Sequence, residues 1–137
     1  MLFRSGSELE AAIRRKLQTF TPLASKTILL EDIPTAVQYP PGCLSRARSA
    51  EDCSFPNEKD SPNRVQLRDI ADRVPGITVV NPYSKVCPSS QCQVVRDGII
   101  MYFDEGHLTN TFAETLDGWV SQWLGSAVNS ARAPSSR

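Results

Sequence analysis

The stretch Lys26-Thr27-Ile28-Leu29-Leu30 decides the fold class. It is a short apolar run without polar alternation, and a turn at Asp32-Ile33-Pro34 closes it. Runs of this kind are typical of parallel strands that are covered on both faces. A second such run, Ile77-Thr78-Val79-Val80, begins just after the breaker Pro75-Gly76. Because helical patterns alternate with these runs along the chain, the sequence predicts an α/β fold with two parallel strands.

Three segments carry apolar residues at the spacing of an amphipathic helix. The first is 7–20, in which Ser7 is interpreted as the helix cap. The second begins after Ser61 or Asn63, since either residue suits the N-cap position. The third begins near Thr109, and its apolar side is interpreted as core. That side consists of Phe112, Leu116, Trp119, Val120 and Trp123.

Loops and one hairpin are predicted between these elements. Residues 35–61 are rich in Pro, Ser and charged residues, and a loop of this length needs a staple to stay ordered in a compact domain. Asp97-Gly98 lies between two apolar runs and predicts a tight hairpin turn. The segment 125–137 is small and polar, so we expect a disordered tail after a folded part that covers 1–124.

Composition restricts the classes of function. The chain has 137 residues, 40% of them hydrophobic, which suits one globular domain. Fifteen Lys plus Arg balance fifteen Asp plus Glu without a basic stripe, so the sequence lacks the signature of a nucleic-acid binder. The longest apolar run, 99–103, is too short to cross a bilayer, and residues 1–5 lack the apolar stretch of a signal peptide. We expect a soluble chain without an export signal or transmembrane segment.

The four cysteines, Cys43, Cys53, Cys87 and Cys92, are typical of a domain that folds in an oxidising compartment. Pairing of sequence neighbours is favoured, because each neighbouring pair brackets a Pro/Ser-rich loop. The alternative of four reduced, buried thiols in a cytosolic protein stays open. The spacings C-x9-C and C-x4-C with a single histidine do not match a zinc site, so no metal or cofactor is predicted.

The single histidine, His107, lies in the segment Tyr102-Phe103-Asp104-Glu105-Gly106-His107-Leu108-Thr109, before the last predicted helix. Catalytic groups of α/β folds collect in loops that join a strand to a helix. An aspartate three residues before a histidine on a tight turn can accept a hydrogen bond from Nδ1–H, which leaves Nε2 as a general base. Asp104 and His107 are therefore candidate catalytic residues. From spacing alone, a surface or structural role remains the alternative.

Four stretches give the sequence a resemblance to a known family. They are the strand end at 29–34, the Pro-rich loop with Cys43 and Cys53, the loop with Cys87 and Cys92, and the segment 102–109, which looks like a D-x-x-H-L-[ST] block. Over about residues 3–124, the chain resembles the C-terminal part of the SGNH hydrolase domain of acyltransferase family 3 proteins, of the actinobacterial, mycobacterial-like kind.

The resemblance implies a Ser-His-Asp esterase or O-acyltransferase with an SGNH-hydrolase-like (flavodoxin-like) three-layer α/β fold. It implies that His107 is the general base and that Asp104 is its orienting carboxylate. The substrates would be an acyl donor and a hydroxyl of a glycan, and a membrane acyltransferase module would lie upstream in the parent protein. The same resemblance implies an extracytoplasmic position at the cell envelope, and nucleic acid is not an expected partner.

The nucleophilic serine of that family belongs to a Gly-Asp-Ser block, which these residues do not contain. We therefore expect a C-terminal portion of the domain, with two parallel strands and three helices, that holds two members of the triad and is inactive alone. It would be a truncated gene product or the result of a misassigned start. Two alternatives stay open: a non-catalytic, disulfide-stapled exported or partner-binding domain in which Asp104 and His107 cap the final helix, and an inactive cytosolic remnant.

Overall fold

The structure is a computed structural model that describes residues 6–132, apart from the side chains of 63–66 and 130–132. These residues fall into two compact units. The first unit contains 6–31, 59–81 and 129–132, and the second unit contains 32–58 and 82–128.

The helices and strands are short, apart from three helices. In chain order they are α1 (Gly6–Phe20), β1 (Thr27–Leu30), α2 (Pro40–Leu44), β2 (Phe55–Pro56), α3 (Pro62–Asp72), β3 (Ile77–Val80), α4 (Tyr83–Val86), β4 (Gln91–Cys92), β5 (Val95–Arg96), β6 (Ile99–Ile100), α5 (Asn110–Glu114) and α6 (Asp117–Arg132). Two 3-10 turns lie at Thr21–Leu23 and Ala50–Cys53. The three predicted helices correspond to α1, α3 and the segment that forms α5 and α6, whereas α2 and α4 were not predicted.

In the first unit, β1 and β3 form a parallel pair, which confirms the prediction from their apolar runs. The register places Thr27 beside Ile77 and Leu30 beside Val80. The side chain of Leu30 is 51% exposed, and Thr78 is also exposed. Within the described residues, the two faces of the β1–β3 pair are therefore only partly covered by other side chains, whereas the sequence predicted that both would be covered.

The buried apolar side chains of the first unit lie in helix α3 and just after its end. Ile70 and Ala71 of α3 and Val74, two residues beyond its end, are all at most 3% exposed, in agreement with the helical spacing of apolar residues predicted for this segment. Pro62 lies in the first turn, where its missing N–H costs no helical hydrogen bond. Ser61 occupies the N-cap position, but its side chain makes no capping hydrogen bond.

Helix α1 begins one residue earlier than the sequence indicated. It starts at Gly6, so Ser7 lies inside the first turn, and the interpretation of Ser7 as the cap was wrong. The helix carries an ion pair between Glu10 and Arg14, with 2.8 Å between the charged atoms. The same Glu10 carboxylate lies 3.6 Å from the guanidinium of Arg73, at the end of α3.

The second unit has a hydrophobic core of its own. Its largest fully buried side chains are Tyr102, Phe55, Phe112, Met101, Val86 and Val94. The rings of Phe55 and Tyr102 meet edge to face, with their centroids 5.6 Å apart. This contact packs β2 against the segment that leads into the candidate catalytic turn.

Strands β5 and β6 form the hairpin that the sequence predicts. Val95 pairs with Ile100, and the two residues between the strands are Asp97 and Gly98. Both have positive φ angles, 51° for Asp97 and 78° for Gly98. Positive φ at both central residues defines a type I′ turn, whose twist matches that of the strands.

The predicted pairing of the cysteines is confirmed. Disulfides join Cys43 to Cys53 and Cys87 to Cys92, and no cysteine is free. The alternative of four reduced thiols therefore does not describe this structure. Each bond closes one of the loops that the sequence marked as Pro/Ser-rich.

The two disulfide loops are joined to each other by contacts that the sequence did not indicate. Strands β2 and β4 pair antiparallel, with Phe55 beside Cys92. The side-chain amide of Asn57 donates to the backbone oxygen of Cys87 at 2.9 Å and to that of Ser89 at 2.8 Å. The loops therefore form one connected framework in the second unit.

The predicted last helix is two helices in the structure. Thr109 caps α5, because its Oγ1 accepts a hydrogen bond from the backbone N–H of Phe112 at 3.2 Å. Helix α5 ends near Thr115, whose Oγ1 donates to the backbone oxygen of Phe112 at 2.6 Å and so gives that carbonyl a local partner. Phe112 is buried, as predicted. The rest of the predicted apolar side is partly buried: Leu116, Trp119, Val120 and Trp123.

Helix α6 extends further than the sequence indicated. It continues to Arg132, so the expectation of disorder was wrong for 125–132. The residues from Ser126 to Arg132 include no Pro or Gly and two alanines, which favour a helix more than any other residue. The remaining part of the expected tail, 133–137, lies outside the described residues.

Candidate active site

The candidate site is a tight turn in the second unit, between β6 and α5. Tyr102 and Leu108 form an isolated antiparallel bridge across it. Inside this bridge, the backbone N–H of Phe103 donates to the backbone oxygen of His107 at 2.8 Å. Tyr102 is fully buried, and burial raises the pKa of its hydroxyl well above the usual range. The turn is thus anchored to the core at its base.

Thr109 fixes the end of the turn that leads into α5. Its backbone N–H donates to the backbone oxygen of Met101 at 2.9 Å, and its Oγ1 donates to the backbone oxygen of Ile100 at 2.6 Å. The same Oγ1 accepts from Phe112 as the cap of α5. One side chain therefore ties the turn both to the strand before it and to the helix after it.

Asp104 organises the turn through its carboxylate. Its Oδ1 accepts from the backbone N–H of Gly106 and from that of His107, each at 2.8 Å. The Nδ1 of His107 lies 2.9 Å from Oδ1 and 2.9 Å from Oδ2. The hydrogen bond from Gly106, followed by that from the His107 ring, lowers the pKa of Asp104 below its ordinary value. The group is therefore a carboxylate at neutral pH.

The imidazole of His107 has one nitrogen held and one available. Its side chain is 78% exposed. A neutral ring that donates from Nδ1 to the Asp104 carboxylate carries its lone pair on Nε2. Within the described part of the chain, Nε2 makes no hydrogen bond, and the ring bonds to Asp104 alone. This arrangement can take a proton from a neighbouring hydroxyl.

Backbone groups of the two residues between Asp104 and His107 also hold the turn. The backbone oxygen of Glu105 accepts from the backbone N–H of buried Ala36 at 2.7 Å, and Gly106 donates to Asp104. Sequence reasoning gave Glu105 and Gly106 no role. No sequence signal points to Glu105, because every residue type carries the same carbonyl.

A shallow depression opens beside the imidazole. It is lined by Phe103, His107, Leu108, Thr109 and Asn110. The Phe103 side chain is 69% exposed although it is aromatic. The sequence places Phe103 in an apolar strand-like run and so does not indicate that its side chain is exposed. Its exposure results from the bridge between Tyr102 and Leu108, which no sequence pattern predicts. The depression offers an apolar wall next to a potential base.

Other candidate groups do not join this turn. All four cysteines are in disulfides, so none of them is a thiolate nucleophile or metal ligand. Among the side chains that the structure describes, no group of three or more His, Cys, Asp or Glu is placed to hold a metal ion, and no serine bonds to His107. Within the described range 6–132, no helix combines the length and the hydropathy that crossing a membrane requires.

Comparison with protein families gives one match. A family model described as an SGNH domain fused to AT3 domains matches residues 3–121, which is most of the chain. The match agrees with the resemblance drawn from the four sequence stretches. Comparisons with curated proteins and with solved structures gave no match.

Proposed function

We propose that Asp104 and His107 are two members of a Ser-His-Asp triad, because the chain belongs to the family of SGNH domains that are fused to AT3 domains. This family suggests a domain of the acyltransferase or esterase type. The reaction is transfer of an acyl group to a hydroxyl of a cell-envelope glycan, or to water. The α/β fold implied by the family agrees with the parallel pair β1 and β3. We propose that 1–124 is the C-terminal portion of a three-layer SGNH domain.

One observation carries the proposal: the imidazole of His107 is held through Nδ1 by an ionised carboxylate. Asp104 contacts Nδ1 with both oxygens at 2.9 Å and is itself oriented by two backbone N–H groups. A carboxylate fixed in this way selects the tautomer with the lone pair on Nε2 and stabilises the imidazolium that forms when Nε2 takes a proton.

The chemistry follows the serine triad, with the serine supplied by a Gly-Asp-Ser block outside these residues. Nε2 of His107 takes the serine proton as the serine oxygen attacks the acyl carbonyl of the donor. The imidazolium then returns the proton to the leaving group, and an acyl-serine ester remains. In the second half, Nε2 takes the proton of the acceptor hydroxyl, whose oxygen attacks the ester. The proton finally returns to the serine, so the transfer is balanced.

The depression beside His107 suits the acyl part of the substrate. The exposed ring of Phe103 and the side chain of Leu108 form an apolar wall there. An apolar wall favours the hydrocarbon of an acyl group, while the hydroxyl acceptor has to approach Nε2.

Position and partners form part of the same proposal. The fusion of these domains to AT3 domains is consistent with a membrane acyltransferase module in the parent protein. Two disulfides support an extracytoplasmic position, because disulfides persist in oxidising compartments and are rare in the cytosol. The acyl donor would come from the membrane module, and the acceptor would be a glycan of the cell envelope.

A non-catalytic partner-binding domain is the second candidate function. It is favoured by the fact that Asp104 orders its turn through the backbone N–H groups of Gly106 and His107, a role that needs no chemistry. The two functions differ in whether His107 matters for acyl transfer, and this difference is measurable.

The test uses a longer polypeptide in which a Gly-Asp-Ser block precedes these residues, together with the 137-residue chain. A serine-directed phosphonate should label the longer polypeptide at that serine and leave the shorter chain unlabelled. In the longer polypeptide, His107→Ala should abolish turnover of an activated acetyl ester. Asp104→Asn in the same polypeptide should lower kcat by about 10⁴-fold, because the His107 ring then takes the wrong tautomer.

The matched control is Asp97→Asn. Asp97 is an exposed aspartate of the same unit, and asparagine suits its positive φ as well as aspartate does. This variant should keep full activity. Retained turnover in His107→Ala, or labelling of a serine of the 137-residue chain itself, would contradict the proposal.

A further inference from the structure

The hydrogen bonds that Asp104 makes lie entirely within its own turn. Its carboxylate accepts from the backbone N–H groups of Gly106 and His107 and lies against the His107 ring. These bonds fix the imidazole relative to the carboxylate, and they would persist if the whole turn moved as one piece. They therefore do not determine where Nε2 of His107 lies relative to the rest of the second unit.

The position of Nε2 matters for the proposed reaction. A general base acts only within hydrogen-bond reach of the proton that it takes, about 2.6–3.2 Å between heavy atoms. A displacement of about 1 Å can lower the rate about 10²-fold. Because the serine of the proposed reaction lies outside the turn, the turn has to be held against its surroundings as well as within itself.

The hydroxyl of Thr109 holds the end of the turn against two neighbouring elements. Its Oγ1 donates to the backbone oxygen of Ile100 in β6 at 2.6 Å and accepts from the backbone N–H of Phe112 in α5 at 3.2 Å. The Phe112 side chain is buried in the core of the second unit. Only Leu108 separates Thr109 from His107, so the placement of Thr109 restricts that of the imidazole.

The other hydrogen bonds that hold this turn from outside come from backbone groups. The N–H of Thr109 donates to Met101, and the N–H of Ala36 donates to the backbone oxygen of Glu105. Every residue type except proline carries such an N–H. The two bonds of the Thr109 hydroxyl are different, because they depend on the type of the side chain.

We propose that Thr109 is a positioning residue, whose hydroxyl places Nε2 of His107 for proton transfer by bonding the turn to β6 and to α5. One atom has to donate and accept at the same time, and a hydroxyl does both. Serine retains this ability, whereas valine has a similar shape without it. The inference rests on the proposed catalytic role of His107, and it separates the placement of the ring from its protonation, which Asp104 controls.

The test measures kcat and KM for an activated acetyl ester in the longer polypeptide that contains the Gly-Asp-Ser block. Rates are calculated per folded molecule, as determined by circular dichroism. Thr109→Val should lower kcat about 10²-fold with little change in KM, and Thr109→Ser should keep kcat near the native value. Thr109→Asp still caps α5 but has no proton to donate to Ile100, so it should lose kcat as the valine variant does.

The matched control is Thr115→Val. The Oγ1 of Thr115 donates to the backbone oxygen of Phe112 at 2.6 Å. This variant therefore removes a side-chain hydrogen bond from the other end of the same helix, and it should keep full turnover.

NMR spectra of the His107 ring nitrogens in the 137-residue chain give a second readout. The Thr109→Val variant should keep the native tautomer, because the bonds to Asp104 remain within the turn. Asp104→Asn should change the tautomer. The two residues are thus distinguished by what they control.

Four results would overturn the inference alone, provided that His107→Ala abolishes turnover. They are native turnover in Thr109→Val or Thr109→Asp, an equal loss in Thr115→Val, a loss in Thr109→Ser as large as in the valine variant, and a changed tautomer in Thr109→Val. Failure of the proposed function gives a different result, which is retained turnover in His107→Ala. In that case no catalytic ring needs to be placed, and the inference fails with the proposed function.

Discussion

The guanidinium of Arg96 lies 5.4 Å from the centroid of the Phe112 ring. The same group donates to the backbone oxygen of Lys85 at 2.6 Å and to that of Val86 at 2.8 Å. Arg96 thus connects the β5–β6 hairpin with the end of α4 and with α5. We expect Arg96→Ala to lower the free energy of unfolding by about 2–4 kcal/mol, since charged hydrogen bonds and a cation–π contact are lost together.

Urea denaturation measures this effect, with Arg46→Ala as the matched control. Arg46 is exposed and belongs to the same unit, so its variant should stay within about 0.5 kcal/mol of the native protein. Equal losses in the two variants would show that Arg96 acts through its charge alone.

The order of the Asp104 turn should depend on pH in one direction. The pKa of Asp104 is lowered in the folded protein, first by the Gly106 N–H and then by the His107 side chain. A lowered pKa contributes stability that is fully present above the pKa of the unfolded chain and is lost as the pH falls through the folded value. The amide signals of Gly106 and His107 should therefore titrate together in NMR spectra, with a midpoint below the ordinary value of 3.8.

The Asp104→Asn variant provides the comparison for this titration. It has no carboxylate to protonate, so the acid transition of the two amides should disappear. A midpoint at or above the ordinary aspartate value in the native protein would mean that the carboxylate does not hold the turn.

The two disulfides should contribute unequally to stability. Cys43 and Cys53 are 10 positions apart in the sequence, and Cys87 and Cys92 are 5 positions apart. On the chain-entropy model, the larger loop contributes about 3 kcal/mol and the smaller about 2 kcal/mol. Urea denaturation of the paired variants Cys43→Ala/Cys53→Ala and Cys87→Ala/Cys92→Ala should show this order. Free thiols detected under denaturing, non-reducing conditions in protein from an oxidising compartment would contradict the pairing.

The parallel sheet should promote self-association. Within the described residues, β1 and β3 pair only with each other, so each has an outer edge, and Leu30 at the end of β1 is half exposed. Unprotected edges recruit other strands, and a lysine blocks such pairing. Sedimentation should show concentration-dependent association of the native protein and less association of Leu30→Lys. Leu23→Lys, at a more exposed leucine outside the strands, should not reduce association; an equal reduction would exclude the edge as the cause.

The features that sequence reasoning predicted are local in the chain. The hairpin at Asp97-Gly98 depends on two residues that tolerate positive φ, and the Asp104 to His107 pair depends on a spacing of three. The strands β1 and β3 were predicted from unbroken apolar runs. Each of these signals is contained within a few consecutive residues.

The features that sequence reasoning missed join positions that are distant in the chain. The pairing of β2 with β4 and the bonds from Asn57 to the Cys87–Cys92 loop connect segments that are at least 30 residues apart in the sequence. A two-residue strand has no periodicity to detect. The length of α6 was underestimated, because the small and polar composition of 125–137 was interpreted as disorder. The two alanines among 126–132, where Pro and Gly are absent, are a weaker signal in favour of the helix.

The hydrogen bond between the N–H of Ala36 and the backbone oxygen of Glu105 has a consequence for the order of folding. Asp104 and His107 are three residues apart, so their contact closes a small loop, whereas the Ala36 bond closes a long one at a higher entropic cost. We therefore expect the carboxylate–imidazole contact to form before the Ala36 bond during folding. The Ala36 bond then adds a constraint from a distant segment to a turn that its own local hydrogen bonds already shape.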